Sequence, residues 1–395
     1  MTTNRRKPAG RPATLPDVAR EAGVSRSTAS RALADYGSVS PEARERVRAA
    51  AEKLGYRPNL LARSMITGRT HTLGAIVADI QNPFFAGVTR GITDAARAAG
   101  YQVLLANTDE DVAAERAAVK MLRDKHVDGL IVAPAATTET AHLAAAHAAG
   151  CPVVLLDRQA PGLPADSVTV DNHGAAQDAV RRLLAAGHRR IALVSLLGSA
   201  PATPAGASAD APGAGAAATD QVPDAAPTDP VSTDPASTDP VSTDPVSTGL
   251  ERIEGYRTAL REAGLTDTDT YLRTGTFHRE DPADLTAELL SLPEPPTAVF
   301  ATDSMIALGV LSAARDHGLR VPEHLSVVTF DDTDWARAVR PRVSVVAQPV
   351  QELGARAVHT LVSRIEGATR PPEHIVLDTE FIERESIAPP PEASR

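Results

Sequence analysis

The sequence predicts a small all-helical head followed by an α/β core of two doubly wound lobes, and three observations carry that prediction. Helix start and stop signals recur at short intervals over residues 14–57. From Leu73 onward, short apolar runs alternate with Ala-rich helical segments. Charge also divides along the chain: residues 1–70 hold 14 Lys or Arg against 6 Asp or Glu, whereas the other 325 residues hold 26 against 44. A basic head on an acidic body is hidden in the net charge of −10, and it gives the head a phosphate-bearing partner.

Residues 1–13 mix Arg5, Arg6, Lys7 and Arg11 with Pro and Gly, which predicts a flexible basic arm. Thr14 and Asp17 form a capping-box pattern around Pro16, so a helix starts there. Ala22, Gly23 and Val24 make a tight turn, and Ser25 caps a second helix carrying Arg26, Ser27, Thr28, Ser30 and Arg31. Two short helices around a tight turn form a helix-turn-helix, and these side chains have the length and chemistry to reach base edges and phosphates. Ser40-Pro41 opens a third helix, closed by Gly55, with Ala43, Val47, Ala50 and Leu54 on one face. Asn59 caps a further short helix, too short to be stable alone.

In the core, strands are expected at Leu73 to Ala78, Tyr101 to Leu105, Gly129 to Ala133, Cys151 to Leu156, Ile191 to Ser195, Ala298 to Ala301 and Ser326 to Phe330, with a last pair near Ile375 and Phe381. Strands alternating with helices imply parallel sheets, whose ligands bind beyond the carboxyl ends of the strands. The alternation stops between residues 199 and 248, where Ala, Pro, Asp, Ser and Thr dominate and the five-residue unit TDPVS (once TDPAS) repeats from Thr228 to Ser247. Its apolar surface is too small to offset ordering entropy, which predicts a disordered insertion with no part in ligand response.

Several functions are disfavoured. The one cysteine, Cys151, forms no intrachain disulfide. Nucleotide fingerprints, nucleophile elbows and metal-spaced His/Cys clusters are missing from the sequence, so neither an enzyme nor a cofactor is expected. No apolar run approaches the roughly eighteen residues of a membrane span, and the N-terminus reads as basic and polar rather than as an export signal, so a cytoplasmic protein with no membrane partner is expected. That weighs against the alternative of a solute-binding protein for uptake, which has no use for a basic helical head.

The pieces DVAREAGVSRSTASRAL, VSPEARERV, LGYRPNLLARS, DIQNPFF, VDGLIVAP, LLDR, VTVDN, GHRRIAL, ERIEGYRTAL, AVFATDSMIALG, LRVPEHLSVVTFDD and QPVQELG follow one another in the order found in the LacI/GalR (lactose-repressor-like) family, which the chain resembles from Thr14 to about Ser386. The resemblance implies a transcriptional regulator: a homodimer whose heads read a near-palindromic operator in double-stranded DNA, and a periplasmic-binding-protein-like core that senses a small molecule. It implies domains at 14–57 (head), 58–71 (hinge helix and linker) and 72–388 (core), with lobes 72–170 plus 348–377 and 171–347 plus 378–388, and a tail at 389–395. Arg26, Ser27 and Arg31 match its base-facing positions, flanked by Thr28 and Ser30. Asn59 to Thr67 match its hinge helix, with Ala62 as the small residue of close approach and Met65 where a leucine wedges the minor groove.

For the cleft, the resemblance singles out Asp79, Phe84 and Phe85 after the first strand, Asp157 and Arg158 after the fourth, and Asp171 and Asn172 at the crossover. It adds Arg252 after the insertion, Thr302 and Asp303, and Asp331. Phe277 and Trp335 are candidates for the cleft or for core and lid positions. Carboxylates, an arginine and aromatic faces suit a polyhydroxylated ligand, so a sugar or sugar derivative is the expected effector. Thr302 stands where many sugar-sensing members carry asparagine, a departure that takes a two-sided amide from the ligand and leaves room for an effector other than theirs.

Overall fold

The computed structural model describes residues 13–34, 37–56, 69–199, 246–277 and 281–391. They belong to two compact units, one holding the chain up to Thr72 with His126–Asp128 and the other holding Leu73–Lys125 and the chain from Gly129 onward. The basic arm, Asn59, Ala62, Met65 and most of the insertion lie outside the described residues.

The head is three helices, α1 (Leu15–Glu21), α2 (Arg26–Ala34) and α3 (Pro41–Leu54). Small side chains make its core: Val18, Ala19, Ala22, Ala29, Ala32, Val47, Ala50 and Ala51 are buried together. Ser40 Oγ accepts from the Ala43 N–H at 3.2 Å to start α3, and Gly55 ends it in left-handed backbone at φ 63°. At α1 the expected capping box is present, pairing the Thr14 side chain with the Asp17 N–H and the Asp17 carboxylate with the Thr14 N–H, the latter at 3.0 Å. The Thr14 hydroxyl also lies 2.6 Å from Asp17 Oδ2, so the carboxylate helps to fix this turn.

The second unit holds two lobes of like topology. The first contains β1 (Thr72–Val77), α4 (Pro83–Ala98), β2 (Gln102–Asn107), α5 (Val112–Asp124), β3 (Gly129–Val132), α6 (Ala141–Ala148), β4 (Val153–Leu156) and β5 (Asp166–Val170). The second contains α7 (Asn172–Ala185), β6 (Ile191–Ser199), α8 (Ser247–Glu262), β7 (Leu272–Phe277), α9 (Pro282–Leu290), β8 (Ala298–Ala301), α10 (Ser304–Asp316), β9 (Ser326–Phe330), α11 (Asp334–Ala338) and β10 (Ser344–Ala347). The chain then returns through α12 (Val350–Ile365) and β11 (His374–Leu377) to the first lobe, and crosses again to β12 (Glu380–Ile382). The sheets are ordered β2-β1-β3-β4-β5-β11 and β7-β6-β8-β9-β10-β12.

One strand departs from the expected parallel sheets. β12 pairs antiparallel with β10, whereas β11 pairs parallel with β5. The carboxyl ends of both sheets face one cleft, so a chain running straight from β11 into β12 enters the second sheet from its carboxyl edge and must oppose its neighbours. The insertion also proves shorter than the expected 199–248. Ser199 still belongs to β6, α8 already begins at Ser247, and Val246 is buried at 2% exposure. Val246 and Ser247 close the last repeat unit, and both are buried, at 2% and 9% exposure.

Close helix contact holds the first lobe together. α4 lies against α12 with Gly91 under the Gln351 carbonyl and Gly354 under that of Val88, and an added Cβ at either would collide with backbone oxygen. Val88, Ile92, Leu353, Val358 and Leu361 fill the surrounding core. Alanine at position 354 gains about 1 kcal/mol of helix propensity, while overpacking costs about 1–3 kcal/mol. Gly354→Ala is therefore expected to lower stability in urea unfolding; a gain of about 1 kcal/mol would show that the helices have room to part.

Candidate functional site

In the head, the turn before α2 gathers hydroxyls. Ser25 Oγ accepts the Thr28 N–H at 3.1 Å, capping α2, and lies 2.9 Å from Ser27 Oγ and 2.8 Å from Thr28 Oγ1. Arg26 is exposed and makes no hydrogen bond or ion pair among the described residues, so its guanidinium is available to an outside partner. Arg31 is half-buried, with Nε 3.3 Å from the Ser27 carbonyl, which leans it back along α2. Ser30 is half-buried on the same helix, and Thr14, held by Asp17, lies just before α1.

In the second unit, the carboxyl ends of both sheets bound one cavity of about 50 Å³. Phe84, Phe85, Asp157 and Arg158 line it from the first lobe, and Arg252, Phe277, Thr302, Asp303 and Asp331 from the second. Phe84 and Phe85 meet edge to face, their ring centroids 5.0 Å apart. Asp157 and Asp331 occupy equivalent places at the ends of β4 and β9. Both sit in left-handed backbone, φ 66° and 71°, and their N–H groups reach the carbonyls of Val168 and Val346, each at 2.9 Å.

Arg252 is buried, its guanidinium 3.7 Å from the centroid of the Phe330 ring. Nε donates to Asn172 Oδ1 at 2.9 Å, and another nitrogen to the Thr302 carbonyl at 2.6 Å. Arg158 instead forks onto Glu110 at 2.5 and 2.6 Å. Asp303 caps α10 through the N–H groups of Met305 and Ile306, both at 2.8 Å. Burial pushes the carboxyls of Asp157 and Asp303 above their ordinary value, and that of Asp331 up to about 7 against the opposing pull of Arg252.

Of the residues expected at the cleft, Asp79 and Asp171 sit elsewhere, Asn172 reaches it only through Arg252, and Trp335 takes its core alternative; Asp171 caps α7 by accepting the Gly174 N–H at 2.8 Å. Asp79 does not line the cavity: its carboxylate turns back to the Gln81 N–H at 2.8 Å, closing the loop after β1. The polar side chain that this loop brings to the cavity is Asn82, which also caps α4 by accepting the Phe84 N–H at 3.0 Å. Trp335 packs on the core of the second lobe. Sequence reasoning also missed Glu110, Leu196, Val246, Thr248, Gly249 and Gln348, all of which line the cavity. Gln348 lay within the motif QPVQELG and carried a signal in its place at a crossover; Val246 was masked by the repeat it ends. The insertion was expected to have no part in the ligand site, yet its ordered end walls the cavity, and Ser247 Oγ accepts the Gln159 N–H across the cleft at 3.0 Å.

A helix-turn-helix with a free arginine, in a chain whose core closes a charged cavity between two like lobes, defines a DNA-binding regulator with a ligand-sensing core. The family model for bacterial regulatory proteins of the lacI family matches residues 14–59. Models for the periplasmic binding proteins and sugar binding domain of the LacI family and for a periplasmic-binding-protein-like domain match 70–220 and 238–387. Catabolite control protein A of Priestia megaterium is 33% identical over 356 residues, 90% of this chain and 93% of that protein. A solved complex of the transcriptional regulator CelR with cellobiose has 30% identity and a TM-score of 0.63, covering 95% of this chain and 99% of that one. The lac repressor dimer bound to operator and the anti-inducer ONPF, at 23% identity, shares the fold with a TM-score of 0.74 over 96% of this chain and 100% of its own. The chain belongs to the LacI family of bacterial regulatory proteins.

The raised Asp331 pKa has a consequence for stability. Its folded value of about 7 lies above the ordinary unfolded value of about 3.9, so the folded state keeps a proton that the unfolded chain releases. That contribution is complete at low pH and is lost as pH rises through about 7. Across this window the wild type should lose stability relative to Asp331→Asn by on the order of 1 kcal/mol or more, measured by urea unfolding. A stability difference independent of pH would contradict the assignment.

Proposed function

We propose that the chain acts as a homodimeric repressor that reads a near-palindromic operator through its heads and is switched by a sugar-class effector held in the cleft. What carries this is the cavity: carboxylates, one stacked guanidinium and paired phenylalanines converge from both lobes on one space, the combination that binds vicinal hydroxyls and the apolar face of a sugar ring. The cellobiose held by CelR supports the same class of ligand. The cavity, at about 50 Å³, has room for only a few waters, so the effector enters as the lobes part and the contact between Gln159 and Ser247 opens. Lobe rotation about the crossovers near residues 171, 348 and 379 then alters the spacing of the two heads. Operator and effector affinities are coupled by one free energy.

Dimerisation fits the exposed edge strand β2, where Leu104 and Leu105 are 40% and 37% exposed. An apolar open edge is a surface that a second copy covers. Among the described residues no helix is long and apolar enough to cross a membrane. The relatives are regulators, and regulation rather than catalysis is the role assigned to this cleft.

In the head, Arg26 is assigned the base contact, with Ser27, Thr28, Ser30 and Arg31 flanking it and Thr14 and Ser25 beside the phosphates. Asn59, Ala62 and Met65 are assigned to the hinge. Arg26→Ala should cost about 1–3 kcal/mol in operator binding and flatten the preference for one base pair per half-site, read by binding to an operator library. An unchanged preference would remove Arg26 from the major groove. In the cleft, Arg252→Ala should abolish the thermal shift that an effector sugar produces on the wild type, while an equal shift in both proteins would place the ligand elsewhere.

A further inference from the structure

The cleft holds more carboxyl groups, Glu110, Asp157, Asp303 and Asp331, than guanidiniums to pair them, Arg158 and Arg252. Glu110 and Arg158 are occupied with each other. Asp303 is turned toward the N-terminus of α10, whose partial positive charge offsets part of its own. Asp157 and Asp331 remain: Asp157 has a 3.6 Å ion-pair contact with the same Arg158, and both feel Arg252, whose hydrogen bonds go to the neutral Asn172 and the Thr302 carbonyl. Neither carboxylate can swing clear easily, because each sits at a strand end with its N–H tied to the neighbouring strand.

Their hydrogen-bonding capacity is also unfilled. Asp157 is 6% exposed and its carboxylate accepts no hydrogen bond among the described residues; the Nε of Arg158 stands 3.6 Å away, too far for one. Asp331 accepts one bond, from Gln348 Nε2 at 2.8 Å. The other end of that amide, Gln348 Oε1, is buried without any donor among the described residues. Asp157 and Gln348 Oε1 therefore lack donors at one cavity, and Asp331 has a single one. The hydroxyls of a neutral polyol can fill these acceptors but leave the two buried carboxyls with their raised pKa values, whereas a protonated amine supplies donors together with the cation that lets both ionise.

We propose that the effector carries a protonated amine on a polyhydroxylated frame, as in an amino sugar or aminocyclitol, with the ammonium seated among Asp157, Asp331 and Gln348 Oε1. This rests on the cleft being the effector site and narrows the ligand class within it. Phe84, Phe85 and Phe277 then take the apolar face of the ring, and Arg252 takes hydroxyls on the side away from the amine.

The test uses the full chain and matched pairs of probes: D-glucosamine with D-glucose, D-galactosamine with D-galactose, and D-mannosamine with D-mannose, titrated calorimetrically at neutral pH. Wild type, Asp157→Asn, Asp331→Asn and Arg252→Ala are compared after thermal unfolding has shown each to be folded. At least one amine should bind the wild type about tenfold or more tighter than its neutral partner, and lose that margin in either Asn variant. Neutral partners binding as tightly as the amines, or no amine binding the wild type, would overturn the proposal. A neutral sugar that binds the wild type and is lost in Arg252→Ala refutes the amine while keeping the cleft as the site. A ligand bound equally by wild type, Arg252→Ala and Asp331→Asn sits outside the cleft and refutes that assignment itself.

Discussion

The Arg252 guanidinium sits over the Phe330 ring, and this one contact lets several carboxyls share a buried space. Phe330 belongs to the packed interior of the second lobe, so the ring is a fixed platform. From it the guanidinium reaches Asn172 at one crossover and the Thr302 carbonyl at the end of β8, while its charge pulls down the pKa values of Asp157, Asp303 and Asp331. Removing a buried cation from among like charges leaves them uncompensated, which is far costlier than losing an exposed pair. Burial still prevails at Asp331, whose pKa stays well above the usual carboxylate range.

The same cluster touches the joints between the lobes. Asn172 follows the first crossover and Gln348 lies on the second, and their side-chain amides bond Arg252 and Asp331 directly. Anything that binds either charge therefore acts on the backbone segments about which the lobes turn. The duplicated strand order explains why the two aspartates meet: each is the first residue after the fourth strand of its own sheet, and both sheets turn their carboxyl edges to the cleft.

Much of this was legible in the sequence, because apolar runs marked most strands and cleft residues follow strand ends. Where reading failed, polarity hid the structure. β5 is wholly buried yet contains Asp166, Ser167 and Thr169; Arg364 and Arg370 hold the Asp166 carboxyl down at about 2, so a hydrophobic pattern has nothing to show. Asp79 and Asn82 are three residues apart in one loop, and only the turn geometry decides that the first serves its own backbone while the second reaches the cavity. Val246 has the same neighbours in sequence as the earlier repeat units, and its burial depends on packing that no local pattern encodes.

The account rests on linkage between a cleft in the core and a DNA-reading head, and reciprocity tests it most directly. The factor by which an effector changes operator affinity should equal the factor by which operator changes effector affinity, both measured on the full chain at one salt concentration. Equal factors clearly different from one are the predicted result. An effector that binds the cleft while leaving operator affinity unchanged would contradict the account.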